Sequence, residues 1–242
     1  MPHAHGVIWL KEETVKPYLK ENGEFDLEKV PELIDFWTSC SLDTGDEDLN
    51  NTVKEVNVHH HTKSCQKKGF CRFNFPRLPS KRTIIATPLE MPENETTEEK
   101  KLRTEKLTRA SKLLSMVKDA PIEQGDSDED IDLEYFISQL GITLADYENT
   151  LRISSRGNTI ILKRKVRERM VNNYNGKMLK VWQSNMDIKV CLDDYAIVTY
   201  VCDYLTKTDE GLTKFMKEAI KEKKTSNVGV FETNLLYTLP GL

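Results

Sequence analysis

Three groups of residues in this chain have the types and spacing that chemistry requires. His3 and His5 are separated by one residue in the run HAHGVIWL. The β-branched and aromatic content of residues 3–10 predicts a short strand. Side chains alternate along a strand, so both imidazoles would leave one face while Ala4 leaves the other. Two imidazoles side by side offer two ligands to a divalent metal able to polarise a phosphodiester. An isolated HxH is more often incidental than a metal site.

The second group is the stretch YAIVTYVCDYLTK, with Tyr200 and Tyr204 four residues apart and Lys207 three further on. At helical pitch all three share a face, with Ile197, Val198, Val201, Cys202 and Leu205 as the adjoining apolar stripe. A phenol can attack phosphorus when a metal and a lysine stabilise the developing charge. The product, a covalent phosphotyrosine, keeps the energy of the cut bond for rejoining. Two tyrosines could hold two strand ends in turn. The competing reading is an amphipathic helix with aromatic residues in its core.

The third group runs from His59 to Arg77. His59, His60 and His61 precede Cys65 and Cys71. Two imidazoles and two thiolates complete a tetrahedral zinc site. His59 and His61 share a face if the stretch is extended, but spacing alone leaves the histidine pair open. Lys63, Lys67, Lys68 and Arg72 flank the site, with Phe70, Phe73 and Phe75 interleaved. Such a mixture can grip phosphates and stack bases, and phenylalanines of this kind can as well be core.

The elements that must position these groups follow from composition and pattern. The 242 residues, 38% of them hydrophobic, suffice for one large domain or two small ones. No apolar run approaches the ~20 residues needed to span a bilayer, and no signal peptide is evident, so no membrane role or secretion is expected. The five cysteines, Cys40, Cys65, Cys71, Cys191 and Cys202, are odd in number and unevenly spaced, which indicates a reducing compartment. The net charge of -4 hides a segregation. Residues 119–134 hold eight acidic groups and no basic one, and the rest of the chain is at +4. Residues 152–189 carry ten Lys and Arg against Glu168 and Asp187. Within them Lys163, Arg164 and Lys165 are candidate phosphate contacts, together with Lys67, Lys68 and Arg72. A solvated basic surface would read the same way.

Helices are expected over 27–39, interrupted near Pro31, over 98–118, and over one or two segments of 133–152 divided at Gly141. Strands are expected over 159–163 and 186–191. Residues 166–174 read as helix or loop, and helices follow over 193–207 and 211–223. The acidic stretch near 123–132 has the composition of a disordered linker.

PHAHGVIWL, HHHTKSCQKKGFCRFNFPR and VWQSNMDIKVCLDDYAIVTYVCDYLTK occur in that order. Together they resemble the Rep-like endonuclease region of Helitron transposons, a "Helitron helicase-like" member of the HUH endonucleases. The resemblance covers nearly the whole chain. It implies an α+β fold with a ferredoxin-like core built on an antiparallel sheet, here with a small Cys/His zinc-type insertion. It implies nicking and joining of single-stranded DNA at transposon ends through a 5′-phosphotyrosine intermediate. Mg²⁺ or Mn²⁺ would be the cofactor, beside a structural Zn²⁺. The metal histidines fall on His3 and His5, and the YxxxYxxK motif on Tyr200, Tyr204 and Lys207. A nuclear location and a helicase domain, normally in the same polypeptide, are also implied.

The expected organisation is an incomplete N-terminal part of the nuclease core (1–58), a zinc-type segment (59–80), a charged helix with acidic linker (81–132), a C-terminal part of the core with the tyrosine helix (133–224), and a tail (225–242). Because the histidine strand starts almost at Met1, an N-terminally truncated copy is expected, its upstream strands and a third metal ligand missing. No GxxxxGK[ST] loop is present, so ATP hydrolysis is not expected. The alternative readings are a catalytically inactive, DNA-binding remnant of that domain and a zinc-stabilised interaction protein without a DNA role.

Overall fold

A strand needs a partner that its own sequence does not name, and here the middle of the chain supplies one. Residues 80–88 and 153–164 are rich in Ile, Thr and Ser, and they pair into a small mixed sheet. The computed structural model describes residues 6–67, 69–92, 94–121, 130–155, 157–192 and 197–198. By contacts the chain divides into two units, Trp9–Val190 and a second comprising Met1–Ile8 with Cys191–Leu242.

Within Trp9–Val190 the elements in order are α1 (Glu12–Val15), α2 (Val30–Trp37), α3 (Glu47–Thr52), β1 (Gln66–Lys67), β2 (Phe70–Cys71), β3 (Ile84–Pro88), α4 (Thr97–Asp119), α5 (Leu133–Ser138), α6 (Leu144–Leu151), β4 (Ile153–Ser154), β5 (Thr159–Ile161) and α7 (Gly176–Trp182). The class is α+β, with seven α-helices among the described residues. β3 is the centre of a three-stranded sheet, parallel to β4 and antiparallel to β5. Its registers are Thr87 opposite Ile153, and Ile84 opposite Ile161. β1 and β2 form a separate antiparallel hairpin. This mixed sheet differs from the antiparallel core that the resemblance implies.

Local chemistry explains most boundaries. Pro31 does not interrupt α2 but sits in its first turn, where a missing N–H costs nothing. α4 begins at a reciprocal cap: Thr96 Oγ1 accepts from the Glu99 N–H at 3.2 Å, and Glu99 Oε2 accepts from the Thr96 N–H at 2.8 Å. Asp132 starts α5 and Thr143 starts α6, each accepting from backbone N–H groups of the first turn. Between them Gly141 takes φ 68°, a left-handed turn that suits a residue without Cβ.

The main core gathers Ile84 of β3, Val117 of α4, Leu133, Phe136 and Ile137 of α5, Tyr147 and Leu151 of α6, and Val166. α4 corresponds to the charged helix expected over 98–118. Its C-terminal half is docked, with Val117 fully buried. β3 lies in a region whose sequence announces only a charged helix and a linker. Residues 6–10 and 186–190 form no strand.

A polar segment, residues 164–175, ties the unit together. It pairs through isolated bridges with Ser80, Val58 and Ser39 in turn. Arg164 is 4% exposed, and its guanidinium donates to the carbonyls of Glu168 and Val171 at 2.6 and 2.7 Å and to Asn173 Oδ1 at 2.8 Å. The buried Glu168 carboxylate accepts from the Ser41 hydroxyl and from the backbone N–H groups of Leu42 and Lys165. Arg169, also buried, donates to the carbonyls of Val117, Lys118 and Ala120. These are orphan carbonyls at the end of α4, and a cation there opposes the negative pole of the helix.

Candidate metal centre

Residues 59–77 leave this polar segment and return to it. The His59 N–H donates to the Met170 carbonyl at 2.7 Å, and the Arg77 N–H donates to the Arg169 carbonyl at 2.8 Å. Both ends of the excursion are thus pinned on neighbouring residues. Inside it, the β1–β2 hairpin turns at Gly69, whose φ of 82° is strained for any side chain bearing Cβ. The Arg72 N–H donates to the Cys65 carbonyl at 2.8 Å, extending the pairing by one residue.

This folding brings His59, His61, Cys65 and Cys71 together, their ligand atoms all within 4.8 Å of one another. Cys65 Sγ lies 3.6 Å from His61 Nδ1, and Cys71 Sγ lies 3.4 Å from His59 Nε2. Zinc bonds of about 2.3 Å to sulfur and 2.0–2.1 Å to nitrogen, at tetrahedral angles, put sulfur and nitrogen about 3.6 Å apart. Two sulfur–nitrogen pairs already stand at that spacing, and the four ligand atoms, within 4.8 Å of one another, can close on a zinc ion by small side-chain adjustments. The cluster also decides the histidine pair, His59 with His61, as an extended stretch would have it. Cys65 and Cys71 are free thiols, not a disulfide.

The surroundings prepare the ligands. The Thr62 N–H donates to Cys65 Sγ at 3.1 Å. Chiefly through this bond, and with help from His61, the Cys65 thiol falls from its ordinary value of 9.0 to about 7. It is thus ready to bind as thiolate. Burial, assisted by the neighbouring His61, His60 and Arg77, lowers the pKa of His59 and favours its neutral, ligating form. The His59 ring stacks on Phe75 with centroids 4.4 Å apart, and the Arg77 guanidinium lies 4.6 Å from the Phe75 centroid. Phe75 is core, whereas Phe70 and Phe73 are exposed. Sequence reasoning overlooks Thr62 and Arg77, although both lie within or beside the motif.

The remaining candidate residues fare differently. His3, His5, Lys68, Tyr200, Tyr204 and Lys207 lie outside the described residues, and of Lys67 only the backbone is described. Arg72 is exposed, with its guanidinium 4.5 Å from the Phe73 centroid. Lys163 is also exposed. Arg164 must be withdrawn as a phosphate contact, because it is buried and its guanidinium is held by carbonyls and Asn173. Lys165 pairs with Asp130 at 2.5 Å, and Arg167 with the same carboxylate at 2.6 Å. Much of the basic charge between 152 and 189 therefore serves the fold. Among the described residues no helix is long and apolar enough to cross a membrane. No model of a protein family, no curated protein and no solved structure matches this chain.

Proposed function

We propose that this chain is a Rep-like HUH endonuclease region of a Helitron-type rolling-circle transposon, stabilised by a structural zinc and acting on single-stranded DNA. The observation that carries this reading is the convergence of His59, His61, Cys65 and Cys71. They form the middle of the three motifs on which the resemblance rests. Their ligand atoms gather within 4.8 Å, with two sulfur–nitrogen pairs at 3.4 and 3.6 Å, which an incidental histidine tract has no reason to do.

In this reading His3 and His5 hold Mg²⁺ or Mn²⁺, which supplies charge stabilisation at the phosphate. Tyr200 or Tyr204 attacks phosphorus through its phenolic oxygen. The bond from phosphorus to the 3′ oxygen breaks, the 3′ oxygen takes up a proton, and a 5′-phosphotyrosine remains. A free 3′ hydroxyl reverses the step and joins the strands. Lys207 contributes positive charge beside the phosphate.

Incubation of the chain with single-stranded DNA and Mn²⁺ tests this. The expected product is a covalent adduct that survives denaturation. It should weaken in Tyr200→Phe and in Tyr204→Phe and vanish in the double variant. An adduct that persists at its original rate in the double variant would refute the nucleophile assignment. One observation favours a second reading, a DNA-binding remnant without cleavage: residues 6–10, downstream of the histidine pair, form no strand. Binding of single-stranded DNA without any adduct would select that reading.

A further inference from the structure

Between the metal-bearing excursion and α4 lies a cleft of about 480 Å³. Gln66, Phe70 and Asn74 line one wall, and Ser111, Leu114 and Lys118 of α4 line the other. His61 and Cys71 face the same space, so two of the metal ligands help to form the wall. We propose that this cleft receives an unstacked base of single-stranded DNA, with the metal centre holding one wall in place. The inference rests on the proposed action on single-stranded DNA and names where that strand is gripped.

The lining suits a nucleotide in three respects. First, Phe70 lines the cleft and is 76% exposed, so its ring face is free to be covered. A base offers a planar face to stack there. Second, the amides of Gln66 and Asn74 and the hydroxyl of Ser111 can pair with the polar edge of a base. Asn74 stands at φ 63°, and its Oδ1 accepts from Lys118 Nζ, which directs its own N–H₂ group elsewhere. Third, the Lys118 ammonium lines the cleft beside Asp119, and the exposed Arg72 next to Cys71 in sequence offers further positive charge for the adjoining phosphates. A base within a duplex could not enter such a concavity without leaving its stack, which selects single strands. Cavity volume allows a nucleotide but not a folded partner.

The test uses the full chain loaded with zinc and a labelled oligodeoxythymidylate of about ten nucleotides, without Mg²⁺ or Mn²⁺. Fluorescence anisotropy should show saturable binding. Ser111→Trp places an indole in the cleft from an exposed position of α4 and should weaken binding at least about tenfold, and Phe70→Ala should weaken it about fivefold or more. Lys112→Trp, on α4 outside the cleft lining, should bind as wild type. Zinc content and thermal unfolding of each variant separate occlusion of the cleft from misfolding. Removal of zinc by a chelator should abolish binding in the wild type. Unchanged affinity in Ser111→Trp and Phe70→Ala would overturn the proposal, as would equal affinity for duplex or tighter binding of the corresponding RNA. Because no cleavage metal is present, the result is independent of nicking. Cleft-dependent binding without adduct formation sinks only the nicking reading, and adduct formation with an indifferent Ser111→Trp sinks only this one.

Discussion

Thr62 decides what Cys65 can do. Its N–H, aimed at the sulfur, stabilises thiolate and holds the pKa near 7 rather than the ordinary 9.0. The unfolded chain therefore binds more protons than the folded chain between these values. Stability from this group is complete above about 9 and is lost as pH falls through about 7. His59 acts in the same direction. Its folded pKa is depressed by burial below 6.5, so further acidification protonates the unfolded chain first. Metal binding adds to both, because each ligand must lose its proton. The expected outcome is a zinc affinity, measured by competition with a chromophoric chelator, that falls steeply from about pH 8 to about pH 6. Cys65→Ser should lower the affinity throughout and flatten the dependence near 7. An affinity indifferent to pH in that window would remove these side chains from the site.

Legible in the sequence is whatever depends on near neighbours along the chain. The 97–119 helix, the break at Gly141 and a cluster of Cys65 and Cys71 with two histidines of 59–61 are foreseeable because caps, turns and short-range spacing are local, whereas the choice of His59 with His61 is not. β3 is not, because its identity as a strand depends on partners about seventy residues away. The basic run at 163–165 misleads for a related reason. Charge density is visible in sequence, but burial is not, and Arg164 turns inward to satisfy carbonyls. This supplies a direct comparison. Arg164→Met leaves two carbonyls and Asn173 without their donor and should cost about 3 kcal/mol in urea unfolding. Lys163→Met, one residue earlier and exposed, should change stability by no more than about 0.5 kcal/mol. Equal effects of the two would mean that the 164–175 segment does not tie the unit together.

The division of the chain separates two kinds of chemistry. The metal ligands, the cleft, the mixed sheet and the main core all belong to Trp9–Val190. The proposed nucleophiles Tyr200 and Tyr204 and the histidine pair His3 and His5 do not. A core that closes on itself should fold without the remainder, since its buried residues are drawn from within the unit. A polypeptide of residues 9–190 is accordingly expected to be soluble, to bind one equivalent of zinc, and to unfold in a single cooperative transition whose midpoint drops when zinc is withdrawn. It should retain single-stranded DNA binding through the cleft and form no covalent adduct under any metal, because the proposed attacking phenols are gone. Two results would count against this division. A fragment that stays molten even with zinc would show that the core requires residues beyond it. A fragment that still forms the adduct would place the nucleophile inside Trp9–Val190 and exclude both tyrosines.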